Sequence, residues 1–161
     1  MWKEVILDED FSEAVSMNDK FGCSVNRSFE MLKTLKEQTE DCHFYFYKDN
    51  RIELFIGNKR NYEPDGTPYV FVITYAIKAD GKDYPKALEI LALKGKEYLK
   101  SRKETYYIIG FGSDDVSQID TYNKGITPIG FNEVVRLAKI EYEKVGFKLT
   151  YDRKRIKVEL V

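Results

Sequence analysis

The stretch Ala138-Lys139-Ile140-Glu141-Tyr142-Glu143-Lys144-Val145-Gly146-Phe147 decides how this chain is read. It has the composition of a helix end, a glycine stop and the first residue of a new strand. Val134, Val135, Leu137, Ala138, Ile140 and Tyr142 fall on or near one face, which predicts a helix over Phe131–Lys144. Gly146 is the residue type that ends helices by turning left-handed. Tyr142 stands on the last helical turn, four residues before it. Two short strands follow, Phe147–Tyr151 and Ile156–Val161, around the charged turn Asp152-Arg153-Lys154-Arg155.

Upstream of this junction the pattern alternates between apolar strands and amphipathic helices. Trp2–Leu7 is a short extended start, and Asp8-Glu9-Asp10 opens a first helical piece. Ser24 or Asn26 can cap a second helix carrying Phe29, Met31, Leu32 and Leu35. His43–Tyr47 and Arg51–Ile56 flank the turn Lys48-Asp49-Asn50, whose Asp and Asn tolerate left-handed backbone. The proline- and glycine-bearing run Asn58–Pro68 reads as a loop. Tyr69–Ile77 is nearly all apolar, as suits a strand covered on both faces. Asp83 and Pro85 start the longest helix, with Ala87, Leu88, Leu91, Gly95, Tyr98 and Leu99 as its buried stripe. Thr105–Phe111 is a second apolar strand, and Gly112–Gly130 is polar.

Composition narrows the classes. The 161 residues fit one domain, read as residues 1–161, and 43% hydrophobic content is that of a folded chain rather than a disordered one. Twelve Tyr and ten Phe favour well-filled sheet faces. With 26 basic against 27 acidic side chains interspersed, no basic stripe points to nucleic acid. The longest apolar run falls far short of the ~20 residues of a membrane-spanning helix, so no membrane partner is expected. Met1–Val5 lacks the pattern of a secretion signal, which predicts a cytoplasmic protein. Cys23 and Cys42 are spaced as ordinary thiols rather than as metal ligands, and no metal is expected.

The Ala138–Phe147 stretch resembles the A-x-x-x-Y-x-x-x-G-F signature of the GCN5-related N-acetyltransferase (GNAT) superfamily, and the order of elements is similar to that family's. The resemblance implies an α+β, GNAT-like (acyl-CoA N-acyltransferase) fold. Its mixed central sheet would have about seven strands, with helices on both faces. It also implies acetyl-CoA as cofactor, an amine on a small molecule or protein as acceptor, and Tyr142 as the acid that protonates the departing thiolate.

Active members carry R/Q-x-x-G-x-G/A ahead of the long helix, where glycine backbone and the helix N-terminus hold pyrophosphate. The corresponding run here is Lys78-Ala79-Asp80-Gly81-Lys82-Asp83-Tyr84-Pro85-Lys86, with one glycine. By resemblance Ile77, Gly81, Lys82 and Lys86 are the cofactor-binding candidates. Without it, Asp83 is a helix cap and the lysines are a solvated rim.

Asp114, after the Thr105–Phe111 strand, is a candidate proton acceptor for the attacking amine. Gly110-Phe111-Gly112 is half of a dinucleotide fingerprint, but aspartates follow where phosphate would sit. His43, the single histidine, has no partner spaced for metal or triad chemistry and reads as structural. The long segment 113–130 is a candidate surface for a protein partner. Two functions follow from the resemblance. One is a divergent N-acyltransferase using acetyl-CoA. The other is a non-catalytic binding or assembly protein of the same fold, phage-encoded or virion-associated and then made in the host cytoplasm.

Overall fold

The computed structural model describes residues 1–5, 29–110, 131–151 and 155–161. The predicted helix after Asp8, the caps Ser24 and Asn26, Asp114, the 113–130 segment and the turn 152–154 lie outside them. The chain forms two compact units, Met1–Lys78 and Ala79–Val161.

The first unit contains β1 (Trp2–Glu4), α1 (Phe29–Gln38), β2 (His43–Lys48), β3 (Glu53–Tyr62) and β4 (Pro68–Lys78). Its strands pair antiparallel in chain order, with Glu4 opposite Tyr45, Phe46 opposite Phe55 and Leu54 opposite Ile77. Side chains alternate between faces along a strand. The neighbours Leu54 and Phe55 are nonetheless both fully buried, so β3 is covered on both sides there. Phe44 and Phe55 stack with centroids 5.8 Å apart on one of those faces. The β2–β3 turn is the expected one. Asp49 Oδ1 accepts the Arg51 and Ile52 N–H groups, each at 2.8 Å, which is an Asx-type turn.

The run Asn58–Pro68 is not a loop throughout. β3 continues to Tyr62 and β4 begins at Pro68. The polar residues Lys59, Arg60 and Asn61 pair with Phe71, Val70 and Tyr69. The true turn is Glu63–Thr67, closed by the Glu63 N–H donating to Thr67 O at 2.8 Å. Pairing with an apolar partner strand supplies the backbone bonds that a polar sequence does not advertise.

The second unit contains a 3-10 turn (Gly81–Asp83), α2 (Tyr84–Ser101), β5 (Tyr106–Gly110), α3 (Phe131–Lys144), β6 (Phe147–Tyr151) and β7 (Arg155–Leu160). β7 pairs antiparallel with both β5 and β6. The buried residues of α2 are Tyr84, Ala87, Leu88, Leu91, Ala92 and Leu99, close to the stripe read from spacing. Ile108, Phe147, Ile156 and Val158 extend this core from the strands.

Candidate functional site

The junction at Gly146 is built by local backbone geometry. Val145 N–H donates to Tyr142 O at 3.2 Å and Gly146 N–H to Glu143 O at 3.1 Å, tightening the last turn of α3. Gly146 takes φ +99°, which an L side chain resists. From α2, Lys96 Nζ donates to Val145 O at 2.7 Å and satisfies one carbonyl of the helix end. Gly146 O in turn accepts the Val161 N–H at 3.0 Å.

This junction fixes Tyr142. The residue is 3% exposed, and its ring lies 5.8 Å from that of Phe147. Phe147 also meets the Tyr107 ring edge-on at 6.0 Å. A side-chain hydrogen bond joins Tyr142 to Tyr107. Burial pushes the Tyr142 phenol up to about 12. The Tyr107 hydrogen bond opposes that rise and the charge of Tyr151 adds to it. Tyr142 is therefore a proton-holding phenol throughout the neutral range.

Tyr107 is seated by Gly95 of α2. A Cβ on Gly95 would come within 2.9 Å of the Tyr107 hydroxyl and ring edge. Sequence reasoning put Gly95 in the buried stripe and assigned Tyr107 no role. An isolated glycine in a long helix was the available signal, since such a glycine often marks a close approach.

Gly81, Lys82 and Lys86 gather at the N-terminal end of α2, all exposed. Lys86 Nζ lies 3.2 Å from Glu89 Oε1 one turn on. Asp83 occupies the cap position, but its side chain makes no capping hydrogen bond. The backbone donors there are used internally. Asp83 N–H donates to Asp80 O at 2.9 Å and Tyr84 N–H to Gly81 O, while Pro85 has none. From Pro85 to Gly95 the helix rises about 15 Å. The lysine turn and the Tyr107–Tyr142 pair thus stand well apart along α2.

Ile77 belongs to the first unit, buried on β4 opposite Leu54. In that unit His43 does have partners. Its Nδ1 lies 2.7 Å from Glu4 Oε1 and its Nε2 2.8 Å from Asp41 Oδ1. Asp41 Oδ2 continues to Arg60 at 3.5 Å. The histidine ties β1 to β2 as a structural residue. Among the described residues no group of His, Cys, Asp and Glu could hold a metal ion, and no helix is long and apolar enough to cross a membrane.

No protein-family model matches the chain, and no curated protein does. Among solved structures it is similar to an N-acetyltransferase from Staphylococcus aureus Mu50, at 11% identity and a TM-score of 0.58. That match covers 99% of this chain and 94% of the other. It is also similar to an aminoglycoside 6'-acetyltransferase type Ii, at 12% identity and a TM-score of 0.54, covering 98% and 94%. Likeness at such identity is likeness of fold, and the α+β fold of this chain is that of the GNAT N-acetyltransferases.

Proposed function

We propose that this protein is a divergent N-acyltransferase that moves an acetyl group from acetyl-CoA to an amine. The observation that carries the reading is Tyr142. The phenol sits on the last turn of α3 before the Gly146 junction, held by Tyr107 and Phe147, with its proton retained. When bound, acetyl-CoA supplies the activated thioester. Tyr142 holds the proton that a leaving thiolate requires, and the buried surroundings that raise the phenol raise a thiol formed beside it in the same way.

The residues at the start of α2 fit a pyrophosphate through side-chain charge rather than through backbone. The N–H groups of Asp83 and Tyr84 are already bonded within the 3-10 turn. Lys82 and Lys86 are exposed cations on the same turn and would hold the phosphates. The separation of about 15 Å between this turn and Gly95 suits an extended cofactor.

A non-catalytic binding protein of the same fold is the second reading. The internally bonded helix N-terminus favours it. Calorimetry with acetyl-CoA and with CoA at low salt separates the two. The acyltransferase reading expects a saturable isotherm. Binding weaker than millimolar would sink it and leave the second.

A further inference from the structure

Tyr142 is 3% exposed, so an ion formed on its oxygen gains little from water. Burial alone would make the residue a poor acid, and a compensating donor has to come from the protein. Strand pairing places one there. Tyr107 and Leu149 both lie opposite Val158, so Tyr107 and Leu149 share a sheet face, and by alternation Phe147 and Tyr151 lie on it too. Tyr142 of α3 packs onto that face against Phe147. Of the two other phenols, Tyr151 is 36% exposed and acts on Tyr142 through charge. Tyr107 is 6% exposed and hydrogen-bonded to it. The charge of Glu143 falls on Tyr151, Glu141 is joined to Lys144, and Lys96 of α2 is bonded to Val145 O.

The Tyr107–Tyr142 bond changes character when Tyr142 loses its proton. A phenol donates or accepts, but a phenolate only accepts, so Tyr107 is then the donor. A hydrogen bond to a charged oxygen is roughly twice as strong as one between neutral groups, and stronger again away from water. The bond therefore favours the ionised state over the neutral one, which is the kind of contact that speeds a proton transfer. Such a donor is most effective when it is already in place. Phe147 meets the Tyr107 ring edge-on at 6.0 Å. On α2, a Cβ at Gly95 would fall 2.9 Å from the Tyr107 oxygen, so the hydroxyl has its place only because residue 95 has no side chain.

We propose that Tyr107 is a positioning residue for the acid, a fixed O–H donor that stabilises the phenolate formed when Tyr142 releases its proton. In that step the Tyr142 O–H bond breaks, an S–H bond forms on the thiolate, and the O–H electron pair stays on the Tyr142 oxygen. That the proton goes to a thiolate rests on the acyltransferase reading above. The donor itself rests on Tyr107, Gly95 and Tyr142 alone.

The test uses the whole protein with 3,5-difluorotyrosine placed at position 142, a phenol that ionises at lower pH than tyrosine and is read by fluorine NMR. Tyr107→Phe keeps the ring and removes the donor. It should raise the titration midpoint at position 142 by about one pH unit, roughly tenfold in proton affinity. Gly95→Ala keeps both hydroxyls but crowds the Tyr107 ring, and it should raise the midpoint as well. An unmoved or lowered midpoint in Tyr107→Phe would overturn the proposal and leave Tyr107 a packing residue. An unmoved midpoint in Gly95→Ala would overturn it too, since the donor would then not be fixed by α2. Loss of stability alone, with the midpoints unchanged, counts against it in the same way. Acetyl-CoA calorimetry on the unlabelled protein judges acyl transfer separately. Raised midpoints without acetyl-CoA binding support the Tyr107 donor and sink only the acyltransferase reading.

Discussion

The Tyr107 hydroxyl lies where a side chain on Gly95 would begin, 2.9 Å from the position of its Cβ. This contact brings the phenol of β5 against the backbone of α2, and Tyr107 in turn holds Tyr142. The candidate acid is thus seated by a glycine on one helix and a glycine turn at the end of another.

Gly95→Ala sets two effects against each other. Alanine gains up to about 1 kcal/mol of helix propensity over glycine. Overpacking a buried ring costs about 1–3 kcal/mol, and Tyr107 is 6% exposed with Phe147 against its edge. Packing should win. Denaturant unfolding should show a net loss of about 1–2 kcal/mol, and a stabilised variant would show that Tyr107 is free to move aside.

Tyr142→Phe should change the alkaline limb of stability. The phenol is raised from its ordinary 10 to about 12 in the folded protein. Its contribution is then fully present below pH 10 and is lost as pH rises through 12. Two pH units correspond to about 2–3 kcal/mol. Measured by denaturation from pH 9 to 12, the variant should lack that share of the decline. Identical pH profiles would place the hydroxyl in water.

At Gly146 the expected cost is backbone strain. A Cβ there would meet only Lys96 Nζ, at an ordinary 3.5 Å, but φ +99° disfavours any side chain. Gly146→Ala should therefore cost about 1–2 kcal/mol. Lys96→Met, which removes the donor to Val145 O, should cost about 1 kcal/mol. Thermal unfolding of the two single variants and the double variant checks both. Strict additivity would argue against one shared junction.

Acetyl-CoA affinity should depend on salt. Lys82 and Lys86 are exposed, and screening at 1 M salt confines their field to about 3 Å. Lys82→Gln and Lys86→Gln should each weaken binding by about two- to fivefold at low salt, and the difference should vanish at high salt. Calorimetry at two ionic strengths reads this directly. A salt-independent affinity would point to backbone recognition instead.

How much was legible follows from how local each feature is. The helix, glycine stop and strand at Phe131–Tyr151 depend on side-chain period and one left-handed residue, so ten neighbouring positions announce them. The Asp49 turn and the Pro85 helix start are of the same kind. Tyr142 could be named from its place before Gly146, but its surroundings could not.

What the sequence by itself determined is the order of elements and the fold that order resembles, because periodicity and turn chemistry act over a few residues. The tertiary structure decided the rest. It drew Asn58–Tyr62 into β3, because β4 supplied the ladder. It matched His43 with Glu4 across 39 positions. It set Tyr107 over Gly95 and against Tyr142, and it left Asn58 without a partner among the described residues beside an extra residue on the next strand. Each of these joins residues that only packing brings together, and no local pattern in the chain records packing.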